Sequence, residues 1–164
     1  MTLTPSQVIN NIKRSFNAYL AAGLTGSTIN FDGNSFNTSG LDSWYSVRYL
    51  EIASDPAGMG DVIGTDGSTG NIHSVKAEVG AWHRDDPQGV SSGDMIDKIV
   101  DLLEESQVTF YDWSDPEDPV ESGELALYAG SGSFIPFGSD MNLRDANVRG
   151  FLIEVELKIV AEEQ

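Results

Sequence analysis

Gly150-Phe151-Leu152-Ile153-Glu154-Val155-Glu156-Leu157-Lys158-Ile159-Val160 fixes where the core of this chain must lie. Phe151, Ile153, Val155, Leu157 and Ile159 fall on one side, and Leu152, Glu154, Glu156, Lys158 and Val160 on the other. A period of two marks a β-strand with one face in a core and the other against water or a partner. The stretch predicts a strand over 151–160, and something apolar must cover its inner side.

Two helical stretches supply that cover. Over 5–22, Val8, Ile9, Ile12, Phe16, Tyr19 and Leu20 recur at steps of three and four, giving one apolar stripe with Lys13 and Arg14 off it. Thr4 and Gln7 have the spacing of a capping box, Pro5 suits the first helical position, and Gly23 followed by Leu24 predicts a Schellman-type stop. The second stretch reaches Glu104 from a cap at Ser91 or Ser92. Met95, Ile96, Ile99, Val100, Leu102 and Leu103 form its stripe, and Asp94 is expected near its positive end.

Further strands are predicted over 28–31, 44–53, 72–83, 107–111 and 124–128. In 44–53, Tyr45, Val47 and Tyr49 share one face, while Trp44, Ser46, Arg48, Leu50 and Ile52 share the other. A strand apolar at points on both faces is central in a sheet or covered by a neighbouring subunit. The segment 55–71, with five glycines and Pro56, predicts a long loop or hairpin arm reaching a neighbour. A second long loop is predicted over 112–147, acidic at its start and rich in glycine and aspartate from 130. The fold class that follows is α+β: a mixed, mainly antiparallel sheet with two amphipathic helices packed on one face, forming a single domain over 1–164.

The absence of cysteine excludes disulfides, thiolate catalysis and Cys-based metal centres. No apolar run approaches the roughly 20 residues needed to span a bilayer, and no secretory leader is visible at Met1–Pro5. Acidic residues outnumber basic ones 26 to 9, for a net charge of −17. Such a surface repels phosphate backbones and anionic lipid, so neither tight nucleic-acid binding nor a membrane partner is expected. It suits first of all solubility or a saline habitat, and alternatively a surface that DNA passes without sticking.

No catalytic constellation emerges, so an enzyme is not expected. His73 and His83 stand ten residues apart on one predicted strand, too far apart for a shared metal. The carboxylates at Asp85-Asp86, Glu104-Glu105 and Asp112–Asp118 read as solvated loops, since sequence adjacency does not supply the facing geometry of a glycosidase pair. Asp115-Pro116-Glu117-Asp118 lacks the calcium-loop pattern of an EF-hand, and calcium capture there stays open as an alternative. Gly58-Met59-Gly60 and Gly64-Thr65-Asp66-Gly67 are not followed by the Lys-Ser/Thr of a phosphate loop, and no serine stands in a nucleophile elbow. No cofactor or metal is expected. Trp44, Trp82 and Trp113 suit core or subunit-interface positions better than a sugar or base platform.

The order of elements resembles the tail terminator (tail-completion) proteins of long-tailed bacteriophages. The resemblance is carried by the helix from Thr4 to Leu20, Trp44-Tyr45-Ser46-Val47-Arg48-Tyr49, the strand from Val75 to Trp82 leading into Met95 to Leu103, and Phe151 to Val160. The region 112–147 is longer and more acidic than that family leads one to expect. The resemblance implies a structural virion protein, made in the host cytoplasm, that closes the tail tube at the tail–neck junction as a homomeric ring, expected to be a hexamer. Its partners would be further copies of itself, the tail tube protein and the neck connector, with DNA passing through unbound. Arg48, Arg84, Arg144 and Arg149, with Trp44 and Trp82, are the candidate subunit-interface residues, because basic groups are few and arginine suits interface pairing. Alternatives are another head–tail connector, stopper or capsid accessory subunit, or a small binding module or hydrolase with its site in 130–147.

Overall fold

The computed structural model describes residues 3–34, 37, 38, 40–56, 70–84, 90–105, 107–135 and 148–162. Helix α1 (Pro5–Gly23) is followed by β1 (Ile29–Phe31), β2 (Ser43–Pro56) and β3 (Gly70–Arg84). Helix α2 (Val90–Glu104) then leads to β4 (Gln107–Asp112), β5 (Val120–Ile135) and β6 (Val148–Glu162). The strands form one six-stranded sheet in the order β1-β2-β3-β6-β5-β4. Only β1 and β2 pair in parallel; the other neighbours are antiparallel.

The closing strand lies inside the sheet, as its alternation predicts. On β6, Phe151, Ile153, Val155 and Leu157 are buried, and their partners on β3 are Ala81, Val79, Ala77 and Val75. These residues join Val8, Ile12, Phe16 and Leu20 of α1 and Ile99 and Leu103 of α2 in one core cluster. Both helices therefore cover the same face, and the fold is the α+β plan read from the sequence.

Helix α1 starts as its sequence predicts. The Thr4 hydroxyl accepts the Gln7 N–H at 3.3 Å, and the Gln7 side chain accepts the Thr4 N–H at 2.8 Å. Its end differs. Gly23 is the last helical residue, and the positive φ belongs to Gly26 at 81°. What Gly23 provides is room: a Cβ there would stand 2.3 Å from the Leu102 side chain of α2. Helix α2 also departs from expectation, since it begins at Val90 and carries Ser91 and Ser92 inside its first turn. Asp94 thus stands beyond the first turn, where the helix-end field has fallen off.

Two bulges move side chains that alternation alone misplaces. The register of β2 shifts between Tyr49 and Glu51, so Ile52 pairs with Val75 on the helix-side face and no longer shares the face of Trp44. In β5 the register shifts between Ala129 and Gly132, and the strand continues to Ile135. The region expected as a loop over 112–147 is therefore largely strand through 135. A strand predicted from its apolar core at 124–128 extends because β6 offers it partners from Lys158 to Gly150. Residues 136–147 lie outside the described residues, as do 57–69. The segment 55–71 begins and ends as a hairpin, with Pro56 opposite Asn71.

Candidate assembly surface

The outer face of the sheet, away from the helices, carries a small second core at one end. Trp44 and Trp82 are directly opposite in register, and their rings stack at 6.5 Å with an interplanar angle of 15°. Trp82 is only 9% exposed because the sheet beneath it is glycine. A Cβ on Gly150 would stand 2.4 Å from the Trp82 ring, and one on Gly80 would stand 2.7 Å from its Nε1. The indole N–H donates to the Ser46 hydroxyl at 2.9 Å, so the polar edge of the ring is satisfied. Val148, Leu41 and Leu152 complete the cluster.

Arg84 ties this cluster to the preceding loop. Its Nε donates to the Leu41 carbonyl and its Nη2 to the Thr38 carbonyl, each at 3.1 Å, and its guanidinium lies 6.0 Å from the Trp44 ring centre. Three of the six candidate interface residues thus meet in one place within a single chain. Arg48 stands further along the same face, 65% exposed, and pairs with Glu78 at 3.0 Å. Arg149 lies in β6 opposite His83, and Arg144 lies outside the described residues. Beyond Arg48 the face becomes a charged ladder: the Ser74 hydroxyl donates to Glu156 at 3.1 Å, and Lys158 reaches Glu156 at 3.4 Å and lies 5.6 Å from the Tyr128 ring centre.

A polar joint holds α1 to the edge strand β4. Ser15 Oγ accepts the Tyr111 N–H at 3.0 Å and the Trp113 indole N–H at 3.2 Å. Asn11 Oδ1 accepts the Trp113 backbone N–H at 3.2 Å, and its amide donates to Asp112 at 3.4 Å. The Asp112 carboxylate also accepts from the Ser114 hydroxyl and N–H, and these bonds, above all the hydroxyl's, hold its pKa below the usual carboxylate value. Arg14 donates to the Trp113 carbonyl at 3.4 Å and lies over its ring. On the same helix the Tyr49 hydroxyl donates towards Asn17 Oδ1 at 2.6 Å and the Lys13 carbonyl at 3.0 Å. Burial, helped by the nearby Asp32 charge, raises its pKa far above the ordinary value.

The fold is that of a chain in the structure described as the virion of native gene transfer agent (GTA) particle. The TM-score is 0.51 at 12% sequence identity, with 95% of this chain and 98% of that chain covered. No protein-family model matches the sequence, and no curated protein matches it.

Among the described residues the groups considered for chemistry are dispersed, and Asp85-Asp86, Gly58-Met59-Gly60 and Gly64-Thr65-Asp66-Gly67 lie outside them. β3 pairs with β6 without a register shift, so His73 and His83 are about 33 Å apart at the strand rise. His73 is buried in the helix-side face, whereas His83 Nδ1 is 2.7 Å from the Arg84 carbonyl. Asp115 accepts the Glu117 N–H at 3.0 Å in the turn between β4 and β5. Among the described residues no group of three His, Asp or Glu is placed to hold a metal, and no helix is long and apolar enough to cross a membrane. The sequence reading missed Asn11 and Ser15. Their signal was present: both flank the apolar stripe at helical spacing, on the side that turns inward.

Proposed function

We propose that this chain is a structural virion protein, a tail terminator that assembles as a homomeric ring of six. It would close the tail tube and dock on the neck, acting as a structural part with no catalytic role. The observation that carries the proposal is the fold likeness to a chain of a phage-like gene transfer agent virion, which spans nearly the whole of both chains. The element order that resembles tail terminators gives the finer role. The net charge of −17 is consistent with it, since a DNA passage must not hold phosphate.

Ring closure needs a heterologous contact, in which one patch meets a different patch on the next copy. Arg48, exposed on the outer face, would be one of the basic side chains in that contact. The deciding experiment is complementation of a terminator-deficient phage of the host that carries this chain. Supplying the chain is expected to restore tails of uniform length that join heads. Tails left long and headless, with the purified protein monomeric even beside tail tubes, would sink the proposal.

A further inference from the structure

Among the described residues the sheet closes parts of its edges and leaves others open. At one edge β1 pairs with β2 only from Tyr45 to Val47, and the Asp32 carboxylate then accepts the Tyr49 N–H at 2.9 Å. Beyond that point, among the described residues, β2 has β3 on one side and no strand on the other through Pro56. At the opposite edge β4 covers β5 only as far as Ala126, and at the far end of β4 Ser15 and Asn11 of α1 accept the Tyr111 and Trp113 N–H groups. From Leu127 to Ile135, β5 likewise has only β6 beside it among the described residues. The two open runs are diagonal: β2 is open at the end of the sheet where β3 meets Glu162, and β5 at the end where β6 reaches Gly150.

Natural edge strands are blunted by charge, proline or cover, because unpaired backbone groups recruit another strand. The open run of β5 carries neither charge nor proline, whereas that of β2 carries Glu51, Asp55 and Pro56 beside its apolar groups. Four large apolar side chains are exposed among the described residues, and three stand here: Leu50 at 41%, Ile52 at 48% and Tyr128 at 57%. Residues 125–139 contain no charged side chain in a chain whose net charge is −17. The open run of β2 holds Glu51 and Asp55. The uncharged run of β5 therefore approaches them without like-charge repulsion.

We propose that the open edge of β5 in one copy pairs with the open edge of β2 in the next, joining the sheets of successive copies. The proposal rests on the homomeric ring and names its contact. Within one sheet β2 and β5 run in opposite directions, because three antiparallel steps separate them. A copy that continues the sheet around a ring keeps its strand directions, so the new pair is antiparallel. The diagonal placement staggers each copy against its neighbour, and closing a sheet into a ring requires such a stagger, with tilted strands.

The chain has no cysteine, which makes the test direct. Ala53→Cys combined with Ser133→Cys, or with Ser131→Cys to allow a register slip, places one thiol on each open run. Within a chain β2 and β5 are three strand spacings apart, about 14 Å, so they cannot form a disulfide with each other. Oxidation beside tail tubes is expected to give a ladder of dimers and higher multimers on denaturing gels. Each single variant is limited to dimers. Mass photometry of the reduced proteins reports ring formation separately. Rings that form while neither double variant gives a ladder overturn the edge pairing and leave the ring intact. Neither rings nor ladders overturn both, whereas ladders without closed rings support the pairing and sink the ring.

Discussion

On the helix side of the sheet, Val75, Ala77, Val79, Val155 and Leu157 meet the stripes of α1 and α2 in one continuous core. On the other side the same sheet carries Trp44 and Trp82 on a glycine bed at one end, then Arg48–Glu78 and Glu156–Lys158 towards the other. The first face is closed by the chain itself, with each residue filling a place prepared by two helices. Among the described residues the second is closed only where the tryptophans lie. Fold stability should therefore reside on the helix side, and assembly on the outer face and the edges.

The largest effect expected is from Val155→Asp. Val155 is 1% exposed at the centre of the covered face, so the substitution buries an unpaired charge and should cost about 4 kcal/mol or more. A chemical denaturation midpoint that does not move would break the contrast between the faces. Trp82→Ala should cost about 3 kcal/mol by emptying the tryptophan cluster, and should loosen the loop held by Arg84. Proteolysis within 38–42, compared before and after, checks this. If the cost exceeds that of Val155→Asp, the outer face is the main core.

Ser15→Ala leaves the Tyr111 N–H and the Trp113 indole without their acceptor and should cost about 1–2 kcal/mol. Tyr49→Phe should cost about 1 kcal/mol at neutral pH. It also sharpens the comparison through pH. Burial raises the pKa values of Tyr19, Tyr45 and Tyr49 from the ordinary 10.0, most of all for Tyr49. A raised folded pKa means stability present below pH 10 and lost as pH rises above it. Thermal melts should fall steeply above pH 10 in the native chain and less steeply in Tyr49→Phe; identical slopes would show that Tyr49 ionises freely. The smallest effect on the fold is expected from Arg48→Glu. An exposed pair such as Arg48–Glu78 contributes within about 1 kcal/mol, while assembly should weaken in a salt-dependent manner.

The closing strand and α1 were legible because each is governed by a local rule. Strict alternation at Phe151 to Ile159 admits one face only, and Thr4, Pro5 and Gln7 fix a helix start through bonds spanning three residues. The extent of β5 was hidden, since Gly130-Ser131-Gly132-Ser133 has the composition of a loop and becomes strand through its pairing with β6. The face of Ile52 was hidden for a related reason: one inserted residue at the Tyr49–Glu51 shift reverses everything after it, and insertion is a property of the pair of strands. Of the six candidate interface residues, the sequence supplied types suited to contact, but their neighbourhood came from register alone. Trp44 meets Trp82 because β2 and β3 pair at that position, and Trp82 lies flat because Gly150 of a distant strand passes beneath it.

Composition and periodicity by themselves determined that the chain is acidic, free of cysteine chemistry and built as helices over a sheet, because charge and amphipathic spacing are written residue by residue. Only the tertiary structure decided which strands are neighbours, where two tryptophans stack and which strand edges are left without a partner among the described residues. Those depend on backbone hydrogen bonds between segments far apart in the chain, and the side chains of one segment do not encode the register of another.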